Sequence, residues 1–290
     1  MSRIQVISSD RIDRRRARSV RAHLLVIAAL GTGALLPGAA ADAAPQIAPP
    51  SAIASAGAIA YCSDMTSPPL EFLDAGTKPS GSDVEIGDAI AKRFGVKADW
   101  KNIPFKGLVP ALLARQCDAV ISQLFDKPER RKVIGLVDYM NSSEALLVKA
   151  GNPHKISGLD DLSGHKVAVE NGTTIRDLLV EQNKKFEAAG KKPIDIVVFP
   201  TDTDALQQLQ IDQADAYGTT LETAAFYMGK APKSFEVAGP PFHQILTAIG
   251  YRKDDAALGA AIQKAVDGMK SDGTLLAILK KWHIEGDMIH

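Results

Sequence analysis

Hydrophobic and polar positions follow two rhythms along the chain. Short apolar runs at 58–62, 98–103 and 118–124 are bounded by polar or turn residues and predict strands, the last of them buried. Between them, apolar residues at 86, 89, 90 and 94 recur at helical spacing and predict a helix over 84–94. Leu112 and Leu113 mark the apolar side of a second helix over 108–114. Asp126-Lys127-Pro128-Glu129 reads as a helix start, with Asp126 as N-cap, Pro128 in the first turn and Glu129 at the capping-box position. A strand over 145–149 closes at Gly151-Asn152-Pro153. The rhythm then restarts. Strands over 165–170, 194–199, 214–218 and 245–251 interleave with helices over 174–189, 203–210, 221–228, 254–271 and 274–282. Strands alternating with helices of this length predict an α/β fold with parallel sheets covered on both faces. The break near residue 150 predicts two lobes, and the elements after the second series predict a return to the first.

The N-terminal 43 residues follow neither rhythm. Arg14-Arg15-Arg16-Ala17-Arg18 precedes a 13-residue apolar stretch over 24–36, and Ala41-Asp42-Ala43 follows. A basic region, a short apolar core and a small-residue site form a secretory signal, too short to span ~30 Å of hydrocarbon comfortably. Export to the periplasm is the expectation, with cleavage near Ala43. Residues 44–57, rich in Pro and Ala, read as a flexible leader.

Composition changes the picture in one respect. The chain carries 34 basic and 34 acidic residues, but seven arginines against three aspartates fall within 1–43. The body is therefore mildly acidic and has no basic run. Such a chain has no electrostatic footprint for nucleic acid. Cys62 and Cys117 have no metal-like spacing, and His154, His165, His243, His283 and His290 are scattered, so no metal site and no cofactor are expected. If the strands at 58–62 and 118–124 run side by side, the two cysteines lie ~15 Å apart at ~3.3 Å per residue. A disulfide needs Cα atoms within ~7 Å, so both are expected to remain thiols.

Two stretches carry candidate chemistry. Gly172-Thr173-Thr174 sits between a strand and a helix, where free N–H groups and two hydroxyls suit an anion, although a plain helix cap reads the same. Ser122 and Gln123 end a buried strand, and Arg130 follows at a helix start, against the macrodipole. A carboxylate is its natural partner. No nucleophile elbow and no Cys/His pair supports covalent catalysis.

Taken together and in order, several segments resemble family 3 extracellular solute-binding proteins, the polar-amino-acid receptors of ABC importers. They include Cys62-Ser63-Asp64, Gly81-Ser82-Asp83, Phe105-Lys106-Gly107-Leu108, Asp118 to Ser122, Arg130, Leu159 to Val169, Gly172-Thr173-Thr174, Ala214-Asp215-Ala216 and Lys281-Trp282. The resemblance runs over about 58–285. It implies a type II periplasmic binding fold: lobe 1 over 58–146, lobe 2 over 147–244, and a return strand with C-terminal helices over 245–290. The two lobes would be joined by strands crossing at about 145–150 and 245–250. It implies a monomer that closes on an amino acid or similar carboxylate and presents it to an inner-membrane permease, without catalysis. The rival class is a cyclohexadienyl dehydratase-like lyase on the same fold.

By the same resemblance Arg130 clamps the ligand carboxylate, together with Thr174 and the Gly172–Thr174 backbone. Ser122, Gln123 and Phe105 face the cleft, and Asp64 falls where some relatives engage a cationic side chain. Two positions depart from the family pattern. Ser67 stands where an aromatic usually covers the ligand, and Thr220 where an acid usually grips the α-ammonium. Glu71, Glu170 or Glu222 could substitute for that acid. The expected ligand is a carboxylate with otherwise neutral groups, or one whose amine reaches Glu71, Glu170 or Asp64.

Overall fold

The computed structural model describes residues 47–289, so the signal segment over 1–43 lies outside the described residues. From Ile47 onwards the chain is docked. The Ile47 N–H donates to the Arg93 carbonyl at 3.0 Å, and helix α1 (Ser51–Ala56) buries Ile53 in the same core as Ile47. The described part of the leader expected over 44–57 is therefore no loose tether. Two isoleucines six residues apart give this small-residue segment its anchors.

Strand β1 (Ala58–Ser63) leads through a three-stranded flap, β2 (Thr66–Ser67), β3 (Glu71–Leu73) and β4 (Pro79–Ser80), into helix α2 (Ser82–Phe94) and strand β5 (Lys97–Asn102). Helix α2 buries Ile86, Ile90 and Phe94, which the spacing predicts, and stops at Gly95 in a left-handed conformation. Helix α3 (Leu108–Leu113), strand β6 (Ala119–Val120) and helix α4 (Pro128–Val133) complete the first series. The 15-residue strand β7 (Gly135–Lys149) then crosses out of it.

The second series runs β8 (Lys166–Glu170), α5 (Thr174–Ala188), β9 (Asp195–Phe199), α6 (Asp202–Gln210), β10 (Ala216–Thr220), α7 (Leu221–Lys230) and β11 (Phe235–Val237). Strand β12 (Phe242–Tyr251) crosses back, and α8 (Ala256–Ser271) and α9 (Thr274–Lys281) pack on the first core. The strand order is β5-β1-β6-β12-β7-β10-β8-β9. Parallel pairs flank each end, and the long antiparallel β7–β12 pair stands between them. Each end has apolar clusters on both faces, as covered parallel strands require.

Three local expectations need correction. The strand expected over 118–124 pairs only at Ala119–Val120. Beyond it, backbone bonds persist only at Ile121, whose N–H donates to the Cys62 carbonyl, and at Leu124, whose carbonyl accepts from the Ala248 N–H. Between them Ser122 Oγ accepts from the Asp64 N–H at 2.9 Å and Asp83 Oδ2 from the Gln123 N–H at 2.8 Å. Second, Asp126 does not cap α4. Lys127 takes that position, and Asp126 instead grips Arg131 through both oxygens at 2.6 and 2.5 Å. The planar guanidinium fork outcompetes a backbone amide.

Third, Cys62 and Cys117 form a disulfide, with Cα atoms 5.7 Å apart. The expectation of free thiols assumed β1 and β6 to be aligned along their whole length. In fact β6 is two residues long and meets β1 only at Tyr61 and Cys62; Cys117 lies outside it, so the chain there is not held in extended alignment with β1 and reaches Cys62. Pleating turns Tyr61 towards the cluster under α2, whereas Cys62 shares the opposite face with Cys117 and Leu108 of α3.

Candidate functional site

The carboxyl ends of the strands converge on one cavity between the lobes. This is where open α/β sheets bind ligands. From the first lobe come Glu71, Phe105, Ser122 and Gln123; from the second, Glu170, Thr173, Thr174, Asp202 and Thr220. Glu144, on crossing strand β7, lines the same space. Of the residues singled out from the sequence, Arg130, Asp64 and Gly172 stand beside the lining. Ser67 is part of it, and Glu222 sits behind Thr220.

The lobes are in contact across the cavity. Gln123 Nε2 donates to Thr220 Oγ1, Glu222 Oε2 and Ser142 Oγ, each at 3.1 Å. Lys127 pairs with Asp177 at 2.9 Å, and Thr66 Oγ1 accepts from the Asp202 N–H at 3.2 Å. Gly172, at φ +86°, lies so close to Lys106 that an added Cβ would sit 3.2 Å from the Lys106 Cα. A side chain there would hold the halves apart.

Arg130 stacks its guanidinium 5.5 Å from the Phe105 ring centroid and donates Nη1 to the Phe125 carbonyl at 2.9 Å. It forms no ion pair among the described residues, so most of its five donors are free for an anion. Burial lowers its pKa to about 10, which leaves it charged at neutral pH. Helix α5 begins nearby at Thr174, whose buried Oγ1 has no hydrogen-bond partner among the described residues. Thr173 does not cap the helix with its hydroxyl, which donates instead to the Glu170 carbonyl at 2.8 Å.

Opposite this single cation lie buried acids. Glu71 Oε1 accepts from Ser122 Oγ at 3.0 Å, while its Oε2 has no partner among the described residues. Glu170 Oε1 and Asp202 Oδ2 are likewise unpartnered. Burial raises the Glu71 pKa well above the usual carboxylate range, with Asp83 adding to it. Burial, reinforced by Asp64, pushes Glu170 up to about 11. Asp202 rises to about 7 by burial, held back by the hydroxyl of Tyr217. Glu144 is also raised well, by burial and then by Glu222, against the pull of Lys127 and Arg130. Asp64 is engaged locally: its carboxylate accepts from the Phe105 N–H and from Thr66 Oγ1, both at 2.6 Å.

Glu144 and Asp202 were not singled out from the sequence. Glu144 had a readable signal, a charge at the mouth of the apolar run 145–148. Asp202 did not, because an acid after Thr201 reads as an ordinary helix start. Histidines and an acid also meet elsewhere: His154, His165 and Asp215 bring ligating atoms within 4.8 Å of one another. Separations of 11 and 50 residues hid that cluster.

Two α/β lobes joined by paired crossing strands, with a polar cavity between them, define a solute receptor of the two-lobed kind. The sequence matches the model of the bacterial extracellular solute-binding proteins, family 3, over residues 59–285, and the chain belongs to that family. It is 31% identical over 218 residues to the L-cystine-binding protein of Escherichia coli strain K12, covering 75% of this chain and 79% of that one. It is 30% identical over 227 residues to the lysine/arginine/ornithine-binding periplasmic protein of the same organism, covering 76% and 85%. Among solved structures, an ancestral arginine-binding protein bound to arginine superposes with a TM-score of 0.72 at 33% identity, covering 78% of this chain and 98% of that one. Among the described residues no helix is long and apolar enough to cross a membrane.

Proposed function

We propose that this chain is the periplasmic receptor of an ABC importer and that its ligand is an amino acid carrying a second cationic group. One observation carries the reading. A single arginine with free donors faces a closed cavity that gathers Glu71, Glu144, Glu170 and Asp202, and three of these acids each have an oxygen without a partner among the described residues. Burial alone holds these acids towards their protonated forms, and a cation placed among them would let them ionise. The names of the relatives, which bind cystine, basic amino acids and arginine, support ligands with more than one charged nitrogen. Of the two ligand types expected from the sequence, the amine-bearing one fits better.

In this reading Arg130 and the start of α5 take the ligand carboxylate, and Glu144 takes the α-ammonium. Glu71, Glu170 and Asp202 surround the side-chain cation, with Phe105 along its apolar stem. The receptor acts as a monomer, is exported by the segment over 1–43, and delivers its load to a permease in the inner membrane. It releases that load chemically unchanged. The lyase reading has one group in its favour, Glu170, whose carboxyl stays protonated at neutral pH as a general acid must. Incubation followed by mass analysis of the recovered ligand separates the two.

The test is calorimetry on ligand-stripped protein with arginine, lysine, ornithine, histidine, cystine, glutamate and leucine. The cationic ligands should bind with submicromolar Kd, about −8 kcal/mol or tighter. Glutamate or leucine binding more tightly than every cationic ligand would refute the reading.

A further inference from the structure

We propose that His154, His165 and Asp215 form a binding site for a divalent transition cation, Zn²⁺ or Ni²⁺, on the edge of the second lobe remote from the cleft. Three separate segments supply it. His154 lies in the loop after β7, His165 immediately precedes β8, and Asp215 immediately precedes β10. His154 Nε2 lies 3.2 Å from Asp215 Oδ1, and His165 Nδ1 lies 3.1 Å from Asp215 Oδ2. Tetrahedral Zn²⁺ with ligands at ~2.0–2.1 Å places neighbouring ligand atoms ~3.3 Å apart. The three ligating atoms all lie within 4.8 Å of one another, so small side-chain rotations suffice to gather them on one ion.

The surroundings complete the case. The Lys166 N–H donates to Asp215 Oδ2 at 2.9 Å and fixes the carboxylate, the outer-shell bond that metal-ligating groups characteristically receive. The two imidazoles meet edge to face, 5.2 Å between centroids at 71°, and each has a nitrogen on Asp215. His154 keeps 43% of its side-chain surface exposed, which leaves an entry path and room for water as a fourth ligand. The Lys166 ammonium is turned to Asp195 at 3.9 Å. Two imidazoles and one carboxylate with an open position form a donor set suited to zinc and nickel and ill suited to calcium or magnesium. Because β8 begins beside this cluster and ends at Glu170, ~16 Å of strand at ~3.3 Å per residue separates it from the cleft.

The experiment is calorimetric titration of the purified, untagged protein with ZnCl₂ and NiCl₂. One saturable equivalent is expected, accompanied by a rise in thermal midpoint. His154→Ala, in an exposed loop, should weaken that binding by more than the roughly tenfold that loss of an outer-shell partner costs. His243→Ala should leave it unchanged, and His154→Ala should leave affinity for the cleft ligand unchanged. Saturable metal binding that survives in His154→Ala, or no one-to-one binding to the parent protein, would overturn the proposal.

Discussion

Glu144 and Thr220 face each other directly across the β7–β10 ladder. Residues in such a pair project to the same side of the sheet with Cβ atoms ~5 Å apart. The family resemblance places an ammonium-binding acid at 220; here a hydroxyl holds that position, and a carboxylate stands level with it one strand away.

Glu144→Gln should therefore weaken binding of a cationic amino acid by about 2–5 kcal/mol, the cost of removing one member of a buried charge pair. Titration calorimetry decides it, and an unchanged Kd would take Glu144 out of the site. Thr220→Asp should weaken binding of common amino acids, because a new acid facing Glu144 and neighbouring Glu222 adds like-charge repulsion.

Arg130→Ala should remove the ligand's anionic anchor and abolish measurable binding. Its folded-state contacts are one carbonyl and one aromatic face. Loss of both should cost only about 1–2 kcal/mol of stability. Denaturant titration beside calorimetry separates the two effects; retained affinity would contradict the assigned role.

The acids give the protein a pH signature. Asp202, raised to about 7, and Glu170, raised to about 11, hold protons in the folded state that the unfolded chain gives up near pH 4. Their contribution to stability is present in full below about pH 4 and falls as pH rises through those folded values. The thermal midpoint without added ligand should drop from pH 5 to pH 9. Over the same range the upward shift produced by a cationic ligand should grow, and Glu170→Gln should flatten the drop. A midpoint that climbs with pH would contradict this.

The disulfide closes a loop with a sequence separation of 55. On the chain-entropy model such a bridge is worth about 4 kcal/mol. Cys62→Ser with Cys117→Ser should lower unfolding free energy by about 2–4 kcal/mol. It should leave ligand affinity little changed, because both sulfurs lie beneath α3 and away from the cavity. Non-reducing mass analysis checks the bridge itself.

The two-lobed plan was legible because covered strands and amphipathic helices write opposite periods into the sequence, and here they do so twice. Arg130, Thr174, Glu71 and Gln123 were reachable because turn chemistry and the family pattern fix their places. Side-chain competition was not legible. Asp126 reads as a cap, but Arg131 takes it, and 121–124 reads as strand, but the Asp83 carboxylate takes the Gln123 N–H and Ser122 Oγ takes the Asp64 N–H. The disulfide was illegible for a related reason: it depends on the strand beginning only at Ala119, which leaves Cys117 outside the ladder, and no periodicity records that boundary. Glu144 was hidden by partnership, since its meaning comes from Thr220, 76 positions away and adjacent only through a ladder.

The two strands that cross between the lobes are themselves paired, from Gly135 against Tyr251 to Glu144 against Phe242. A two-stranded ribbon flexes readily out of its own plane, but in-plane shear would break its hydrogen bonds. Bending out of that plane is therefore the relative displacement of the lobes that leaves the ribbon's hydrogen bonds intact. The ladder's register slips at Phe242/Ile245 and Thr247/Ala248, and such irregularities bend and twist a strand locally. Ser142 and Glu144 sit opposite the first of them, so in the proposed binding mode the ligand's ammonium would be held at a bend of the ribbon that joins the lobes.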